Sequence, residues 1–117
     1  MVVDASAPIT IRVLANAYAH IDAIRQLDVN SGIWYNLFPE GEQGYCNANT
    51  TAYINLRLKN TGSAAGNVYL KITRGDNGAI VWNQSYNLAI NAYVDIDQIS
   101  FVMPYTDLAL TFEVGHT

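Results

Sequence analysis

The chain has 117 residues, of which 50% are hydrophobic and only 14% are charged, and its formal net charge is −4 at pH 7. This length and apolar content predict one globular domain over residues 1–117 and exclude an intrinsically disordered chain. The six basic residues are dispersed and no apolar run reaches the roughly 20 residues of a membrane span, which argues against nucleic-acid binding and against membrane insertion.

Residues 1–8 (MVVDASAP) contain neither the basic region nor the long apolar region of a signal peptide. They are interpreted as a flexible N-terminal arm ahead of a first strand at residues 9–14 (ITIRVL). Two origins fit this start: a protein made without export, as a virion protein can be, or a mature domain of a larger secreted protein to which Met1 was added. A surface rich in Asn, Thr, Ser, Gln and Tyr is common in secreted and virion proteins, so we expect an extracellular, cell-surface or virion location.

Residues 15–28 carry two overlapping periodicities. A spacing of three suits a short helix and uses Tyr18, Ile21, Ile24 and Leu27. A spacing of two suits a strand and uses Ile21, Ala23, Arg25, Leu27 and Val29. We favour the strand, because residues 30–32 (NSG) resemble a three-residue hairpin loop that leads into a second strand at 33–38. Residues 39–49 form a long, polar, glycine-rich loop.

The second half of the chain alternates clearly between apolar and polar residues. Strands are predicted at 52–58, 67–73, 79–84 continuing as 86–90 after a bulge, 93–103 and 108–114. A change of phase near Gln98 predicts a bulge or a kink between sheets. Turn signals between strands at this spacing predict an all-β fold, an antiparallel β-sandwich of immunoglobulin-like type with about seven or eight strands.

Residues 54–70 (INLRLKNTGSAAGNVYL) resemble the CARDB and related immunoglobulin-like domains of prokaryotic surface proteins. Those domains carry a strand, a turn of the form xNTGxAAxN and a second strand, and the Asn-Thr-Gly piece closes the turn. The resemblance covers the C-terminal half only. It implies a sandwich that acts as a spacer or as an adhesion or assembly module, without enzymatic activity.

Catalytic residues are not evident, and we expect no enzymatic activity. His20 and Asp22 lie two apart, on one face of a strand, with no obvious nucleophile beside them. The sequence contains no recognised catalytic or nucleotide-binding motif. Cys46 is the only cysteine, so an intrachain disulfide and a cysteine-based zinc site are excluded.

A calcium ion is the one cofactor for which the sequence offers ligands. Asp95 and Asp97 alternate on one face of a predicted strand, so both carboxylates could reach the same ion. The competing interpretation is a solvated outer strand face, where Asp also discourages pairing between sheet edges. We favour the solvated face.

The aromatic residues supply the candidate interaction sites. Trp34 and Tyr35 could form a stacking platform for a carbohydrate, whereas Trp82 falls in phase with Ile80 as a core residue would. Exposed tyrosines suit protein interfaces, since they supply contact area at low entropic cost. The tyrosines expected at the surface are Tyr69, Tyr86, Tyr93 and Tyr105.

These observations predict a structural or interaction module whose partner is a protein, with a homo-oligomer or larger assembly as the first expectation. Assembly would use edge-strand pairing or a terminal segment that reaches into a neighbour, with Val2, Val3 and residues 9–14 as the arm. Truncation of residues 1–8 would then abolish assembly. The alternative is a carbohydrate- or ligand-binding module that binds through Trp34, Tyr35 and the loop at residues 39–49. In that case Trp34→Ala would abolish binding and leave the monomer intact.

Overall fold

The computed structural model describes residues 16–116, which form two antiparallel sheets packed face to face. In chain order the strands are β1 (Ala19–Asp28), β2 (Ile33–Phe38), β3 (Thr51–Asn60), β4 (Gly66–Arg74), β5 (Ile80–Leu88), β6 (Tyr93–Val102) and β7 (Leu110–His116). The first sheet has the order β2-β1-β3-β6 and the second has the order β5-β4-β7. The predicted sandwich is confirmed, as is the strand rather than a helix ahead of residue 28. The predicted arm at 1–8 and strand at 9–14 lie outside the described residues.

Six of the seven described strands can be compared with the strand order of an immunoglobulin sandwich, in which β2 has no counterpart. The chain crosses between sheets after β3, after β5 and after β6. Strands β1, β3 and β6 take the places of A, B and E, while β4 and β7 take those of C and F and β5 lies beside β4 as an extra strand does in variable-type domains. In that fold a further strand, G, pairs with F. No strand formed by residues 16–116 occupies the position beside β7 that corresponds to G.

The core lies between β3 and β4, whose sequences alternate most regularly. Inward residues of a strand recur every second position, which is why both strands bury one complete side-chain row. The buried row of each strand has relative exposures of at most 2%: Ala52, Ile54, Leu56 and Leu58 in β3, and Val68, Leu70 and Ile72 in β4.

A bulge in β1 changes the face that its second half presents. The pairing of β1 with β3 shifts register between Ile21 and Ala23. The predicted alternation, in which Arg25 and Leu27 share the inward face, is therefore wrong. The buried residues in this half of the strand are Ile24, Gln26 and Asp28. Both polar side chains are satisfied: Gln26 Nε2 donates to the carbonyl of Tyr45 at 2.9 Å, and an Asp28 carboxylate oxygen accepts from Ser31 Oγ at 2.8 Å.

The predicted irregularity near Gln98 is confirmed as a bulge in β6. Gln98 has a positive φ of 58°, and the pairing of β6 with β3 shifts from Ile99 opposite Ile54 to Ile96 opposite Leu56. The Gln98 N–H, displaced from the ladder, donates to Asn55 Oδ1 at 3.0 Å. The extra residue allows Ile96 and Ile99 both to point into the core although they are three positions apart.

Strand β5 differs from its prediction. Its pairing with β4 is continuous from Trp82 to Leu88, so the bulge expected near Ser85 is wrong, and the register shift lies instead beside Val81. Tyr86 consequently lies on the inner face, where its hydroxyl accepts a hydrogen bond from Trp82 Nε1 at 3.0 Å. The last strand also begins two residues later than predicted, at Leu110.

Asn60 joins three segments at one end of the sandwich. Its side chain is fully buried and makes four hydrogen bonds. Oδ1 accepts from the backbone N–H groups of Tyr18, ahead of β1, and of Gly62, within the turn after β3. Nδ2 donates to the carbonyls of Ala64 and of Leu88, the last residue of β5. The Asn-Thr-Gly turn is therefore a connection between both sheets.

Gly62 is required by a close backbone approach. A Cβ placed there would lie 2.6 Å from Tyr18 N and 2.8 Å from Ala17 C, in contact with backbone that cannot rotate away. We expect Gly62→Ala to lower the free energy of unfolding by about 1–3 kcal/mol through overpacking. Chemical denaturation measures this change, and Thr61→Ala, at the exposed neighbouring position of the same turn, is a control without the clash. Equal losses in both variants would contradict this explanation.

Candidate functional site

The two sheets differ in strand number, and this leaves one side of the sandwich open. Across the interior β6 packs on β5 and β1 packs on β7. Strand β2, the outer neighbour of β1, therefore extends beyond β7 without an opposing strand within residues 16–116. The vacant position lies next to the free edge of β7 and corresponds to strand G of the immunoglobulin order.

The inner face of β7 is apolar and incompletely covered. Leu110, Phe112 and Val114 pack against the core yet remain half-buried, whereas Thr111 and Glu113 are exposed on the outer face. Strand β7 pairs with β4 alone in the described part of the chain. Every second backbone unit of β7 therefore directs its N–H and C=O away from β4.

An open cavity of about 320 Å³ lies between the sheets beside β7. Phe112 and Leu110 line one side, and Leu37 of β2 with Gln26 of β1 lines the other. The loop after β2 contributes Tyr45, whose backbone carbonyl is held by Gln26. The cavity is thus mostly apolar, and it continues the half-buried face of β7 toward β2.

The other sheet edges carry features that discourage pairing. On β2, the backbone N–H of Asn36 donates to the Glu42 carboxylate at 2.8 Å and its carbonyl accepts from the Glu42 N–H at 3.0 Å. Strand β6 carries Asp95 and Asp97 next to its bulge, and bulges and charges both oppose edge pairing. Strand β5 is polar and exposed through its middle, Asn83–Gln84–Ser85. Among these edges, β7 combines free backbone groups with an open apolar face.

Trp34 and Tyr35 do not form one platform, because neighbouring residues of a strand face opposite sides. Trp34 lies on the outer face of the first sheet, with the Arg25 guanidinium 4.6 Å from its ring centroid. Tyr35 pairs with the buried Gln26, and its ring lies edge-on to Tyr45 at a centroid distance of 5.5 Å. Arg25 already covers one face of the Trp34 indole. Carbohydrate stacking at these residues stays a prediction.

The four tyrosines predicted at the surface occupy different environments. Tyr93 and Tyr105 are exposed, at 54% and 82%. Tyr69 is half-buried and lies over Gly115 of β7, where a Cβ would collide with its ring. Tyr86 packs against the core, so its predicted exposure is wrong. The structure does not bring the four together, and their role in an interface stays a prediction.

Asp95 and Asp97 line one shallow depression on the outer face of the first sheet, together with Arg25 and Arg57. Both carboxylate oxygens of Asp95 accept hydrogen bonds from Arg57, at 2.8 and 3.1 Å. Arg57 also stacks on Tyr93, 4.0 Å from the ring centroid. Residues 16–116 contain no group of three or more His, Cys, Asp or Glu residues placed to hold a metal ion. Calcium at Asp95 and Asp97 stays a prediction, and binding would compete with two guanidinium groups.

The pair with Arg57 makes a small part of the stability pH-dependent. Hydrogen bonds from Arg57 hold the pKa of Asp95 below its ordinary value, and burial opposes this only partly. A lowered pKa in the folded state stabilises the protein above the unfolded-state pKa, and this contribution disappears as the pH falls through the folded-state pKa. We expect Asp95→Asn to lower the melting temperature slightly at pH 7 and not at pH 2. Asp97→Asn, at a residue without an ion pair to Arg57, is the control, and a pH-independent loss would contradict this assignment.

The candidate catalytic residues do not form an assembled site. His20 Nε2 lies 3.5 Å from an Asp22 carboxylate oxygen, and both side chains are substantially exposed. Cys46 is half-buried in the loop after β2, where its sulfur contacts Thr50 Oγ1 at 3.2 Å. No described hydrogen bond joins a nucleophile to His20, and the absence of enzymatic activity stays an expectation.

No family model, no curated protein and no solved structure matches this chain. The likeness of residues 54–70 to CARDB-like domains therefore stays an expectation from those residues. Residues 16–116 contain no helix of the length and apolarity needed to cross a membrane. The residues that distinguish the open edge are Leu110, Phe112, Glu113 and Val114, which sequence patterns assign to a strand without showing that it is unpaired.

Proposed function

We propose that this chain is a non-enzymatic structural module that assembles with copies of itself by strand addition at the free edge of β7. The observation that supports this proposal is that no strand formed by residues 16–116 occupies the fourth position of the second sheet, beside the half-buried Phe112 and Val114. A strand added there pairs with the free backbone groups of β7 and covers their apolar neighbours. Strand addition of this kind obtains affinity from main-chain hydrogen bonds and specificity from alternate side chains.

The energetics favour occupation of this edge. Completing the burial of an aliphatic or aromatic side chain contributes up to about 1.5–3 kcal/mol, and β7 offers Leu110, Phe112 and Val114. The open cavity beside Leu37 adds further apolar surface on the opposite sheet. Against this gain stands the ordering of the added strand, at about 1–2 kcal/mol per residue. A short strand with well-fitting apolar side chains is therefore needed, rather than any extended peptide.

The proposed setting is a cell surface or a virion. Two sequence features support it: the weakly charged, Asn- and Thr-rich composition, and the resemblance of residues 54–70 to modules of prokaryotic surface proteins. In this proposal the partner is protein, with no role for nucleic acid. The tyrosines Tyr93 and Tyr105 are exposed and offer secondary contacts in such an assembly.

Ligand binding is the second candidate function, favoured by the open cavity itself. Its volume of about 320 Å³ falls at the lower end of small-molecule sites, which span roughly 300–1,000 Å³. The loop after β2, predicted as part of a ligand site, lines the cavity with Tyr45 and Cys46. A ligand in this cavity would occupy part of the space that the added strand requires. The two functions therefore exclude each other at this site.

The solution mass of the full chain tests the proposed function. Light scattering over a wide concentration range, repeated with calcium and with a chelator, should give a defined oligomer or a filament. Apolar and main-chain contacts are weakly screened, so we expect assembly to persist at high salt. A monomer under every condition would contradict self-assembly and favour a ligand. Calcium dependence would support the Asp95 and Asp97 site.

A further inference from the structure

We infer that the strand added to β7 is residues 9–14 of a second copy of this chain, antiparallel to β7, with Arg12 opposite Glu113. This inference rests on the proposed function and specifies which segment is donated, which edge accepts it and in which register. Three observations support it: the position of Asn16 beside the end of β7, the side-chain pattern of residues 9–14, and the charge on β7.

Residues 16–18, immediately ahead of β1, lie at one end of the sandwich. The carbonyl of Tyr18 accepts from the Thr61 N–H and that of Asn16 accepts from the Ser63 N–H, both at 2.9 Å. These bonds extend the antiparallel pairing of β1 past Asn60, so residues 16–18 continue the line of β1 beyond the end of β3. Asn16, the first described residue, therefore lies at the end of the sandwich, and the donor segment precedes it in sequence.

Pairing with its own β7 would require a different path. The Tyr18 ring lies 5.9 Å from the ring of His116, so β1 begins beside the end of β7. The preceding segment would have to reverse direction immediately ahead of Asn16, and it would then run parallel to β7. Parallel pairs are slightly less stable per residue than antiparallel pairs. Donation to a second copy avoids the reversal and permits the antiparallel arrangement.

Residues 9–14 (ITIRVL) have the side-chain pattern that the vacant position requires. Ile9, Ile11 and Val13 alternate with polar Thr10 and Arg12, which gives one wholly β-branched apolar face. Such residues favour the pleated, half-buried environment of a strand. The segment is six residues long and the accepting strand Leu110–His116 has seven, so the lengths match.

The apolar side chains of the donor must all lie on the inner face, so its pairing register with β7 can change only by two residues at a time. The charges on the outer face select one of these registers. The apolar face of the donor must face the core, as Phe112 and Val114 do. Glu113 points to the outer face, pairs in the ladder with Lys71 of β4, and has no ion pair within residues 16–116. With Arg12 opposite Glu113, the acid lies between two bases, and Ile11 falls opposite Val114 and Val13 opposite Phe112.

Charge reversal in the full chain tests this register. We expect Arg12→Glu and Glu113→Arg each to weaken assembly about tenfold, because like charges then lie directly opposite each other. The chain carrying both changes should recover the wild-type assembly, as should an equimolar mixture of the two single variants. Light scattering as a function of concentration measures the association of each variant and of the mixture. Both substitutions are at polar positions, so folding should be retained. Because Glu113→Arg also faces Lys71 of β4, the melting temperature of each variant is measured together with its assembly. Failure of the double variant to recover would overturn the register.

A second pair of variants tests the donor segment. Ile11→Asp places a carboxylate on the inward face and should weaken assembly by a hundredfold or more, whereas Thr10→Asp on the outer face should change it little. Assembly of the wild type that persists in Ile11→Asp would overturn the donor segment while leaving self-assembly intact. A monomeric wild type whose melting temperature falls in Ile11→Asp would mean that the segment fills its own groove. A monomeric wild type that Ile11→Asp does not affect would contradict the proposed function itself.

Discussion

Lysine in place of Val114 is expected to leave the chain monomeric at concentrations at which the wild type assembles. Val114 lies on the inner face of β7, where an added strand would enclose its side chain. Inward-pointing charges on edge strands are a device by which natural sheets prevent edge pairing. We expect at least a hundredfold weaker association, about 2.7 kcal/mol, measured by light scattering or sedimentation.

Thr111→Lys is the matched control for this variant. Thr111 lies on the same strand but on the exposed outer face, so an added lysine there remains solvated. Its assembly should stay within a few-fold of the wild type, and the melting temperatures of both variants report whether the sandwich is intact. If Val114→Lys is folded and still assembles like the wild type, the contact lies at another edge.

Asn60→Ala is expected to cause the largest loss of stability among single polar substitutions in this chain. The substitution removes the side-chain partner of four backbone groups, among them the Tyr18 N–H and the Leu88 carbonyl, around a residue with no exposed surface. An unsatisfied buried group costs about 1–3 kcal/mol, although water can enter part of the space. We expect a decrease of about 4 kcal/mol in the free energy of unfolding, measured by urea denaturation.

Asn67→Ala is the corresponding control. Asn67 is exposed on β4, and its side chain makes one hydrogen bond, to the exposed Asn87 at 3.1 Å. Its removal should change the unfolding free energy by less than about 0.5 kcal/mol. Asn60→Asp should resemble Asn60→Ala, because a carboxylate cannot donate to the carbonyls of Ala64 and Leu88. A loss below about 1 kcal/mol in both Asn60 variants would contradict the connecting role of Asn60.

The sequence predicts β3 and β4 well because these two strands alternate without interruption. Each of β3 and β4 buries one uniform apolar row, so period two alone identifies them. The bounds of β2 agree with prediction, since the residues before and after it are turn formers. The bulge at Gln98 could be predicted because Ile96 and Ile99 fall out of phase while both are plainly apolar.

The first strand is harder to predict because its sequence does not indicate where its bulge lies. After the shift near Ile21, the inward positions include Gln26 and Asp28, which alternation would place outside. Their burial depends on partners in later loops, such as the Tyr45 carbonyl for Gln26, and local sequence does not report these. The exposure of Tyr86 fails for a related reason, since its face is set by pairing with β4 and not by neighbours in sequence.

The open edge could not be predicted from local patterns. The alternation of Leu110, Phe112 and Val114 with Thr111 and Glu113 is that of any strand with one buried face. Whether such a strand has one or two neighbours depends on how the seven strands divide between the sheets. That division follows from crossings after β3, β5 and β6, which bring together residues far apart in the chain.

The position of β1 has a mechanical consequence. This strand lies inside the first sheet, bonded to β2 on one side and to β3 on the other, and residues 16–18 extend its pairing past Asn60. Antiparallel backbone bonds are perpendicular to their strands, so tension applied ahead of Asn16 loads the bonds of β1 together in shear instead of opening them one at a time. A module pulled from this end should therefore resist force well, as the proposed self-assembly into a filament would require.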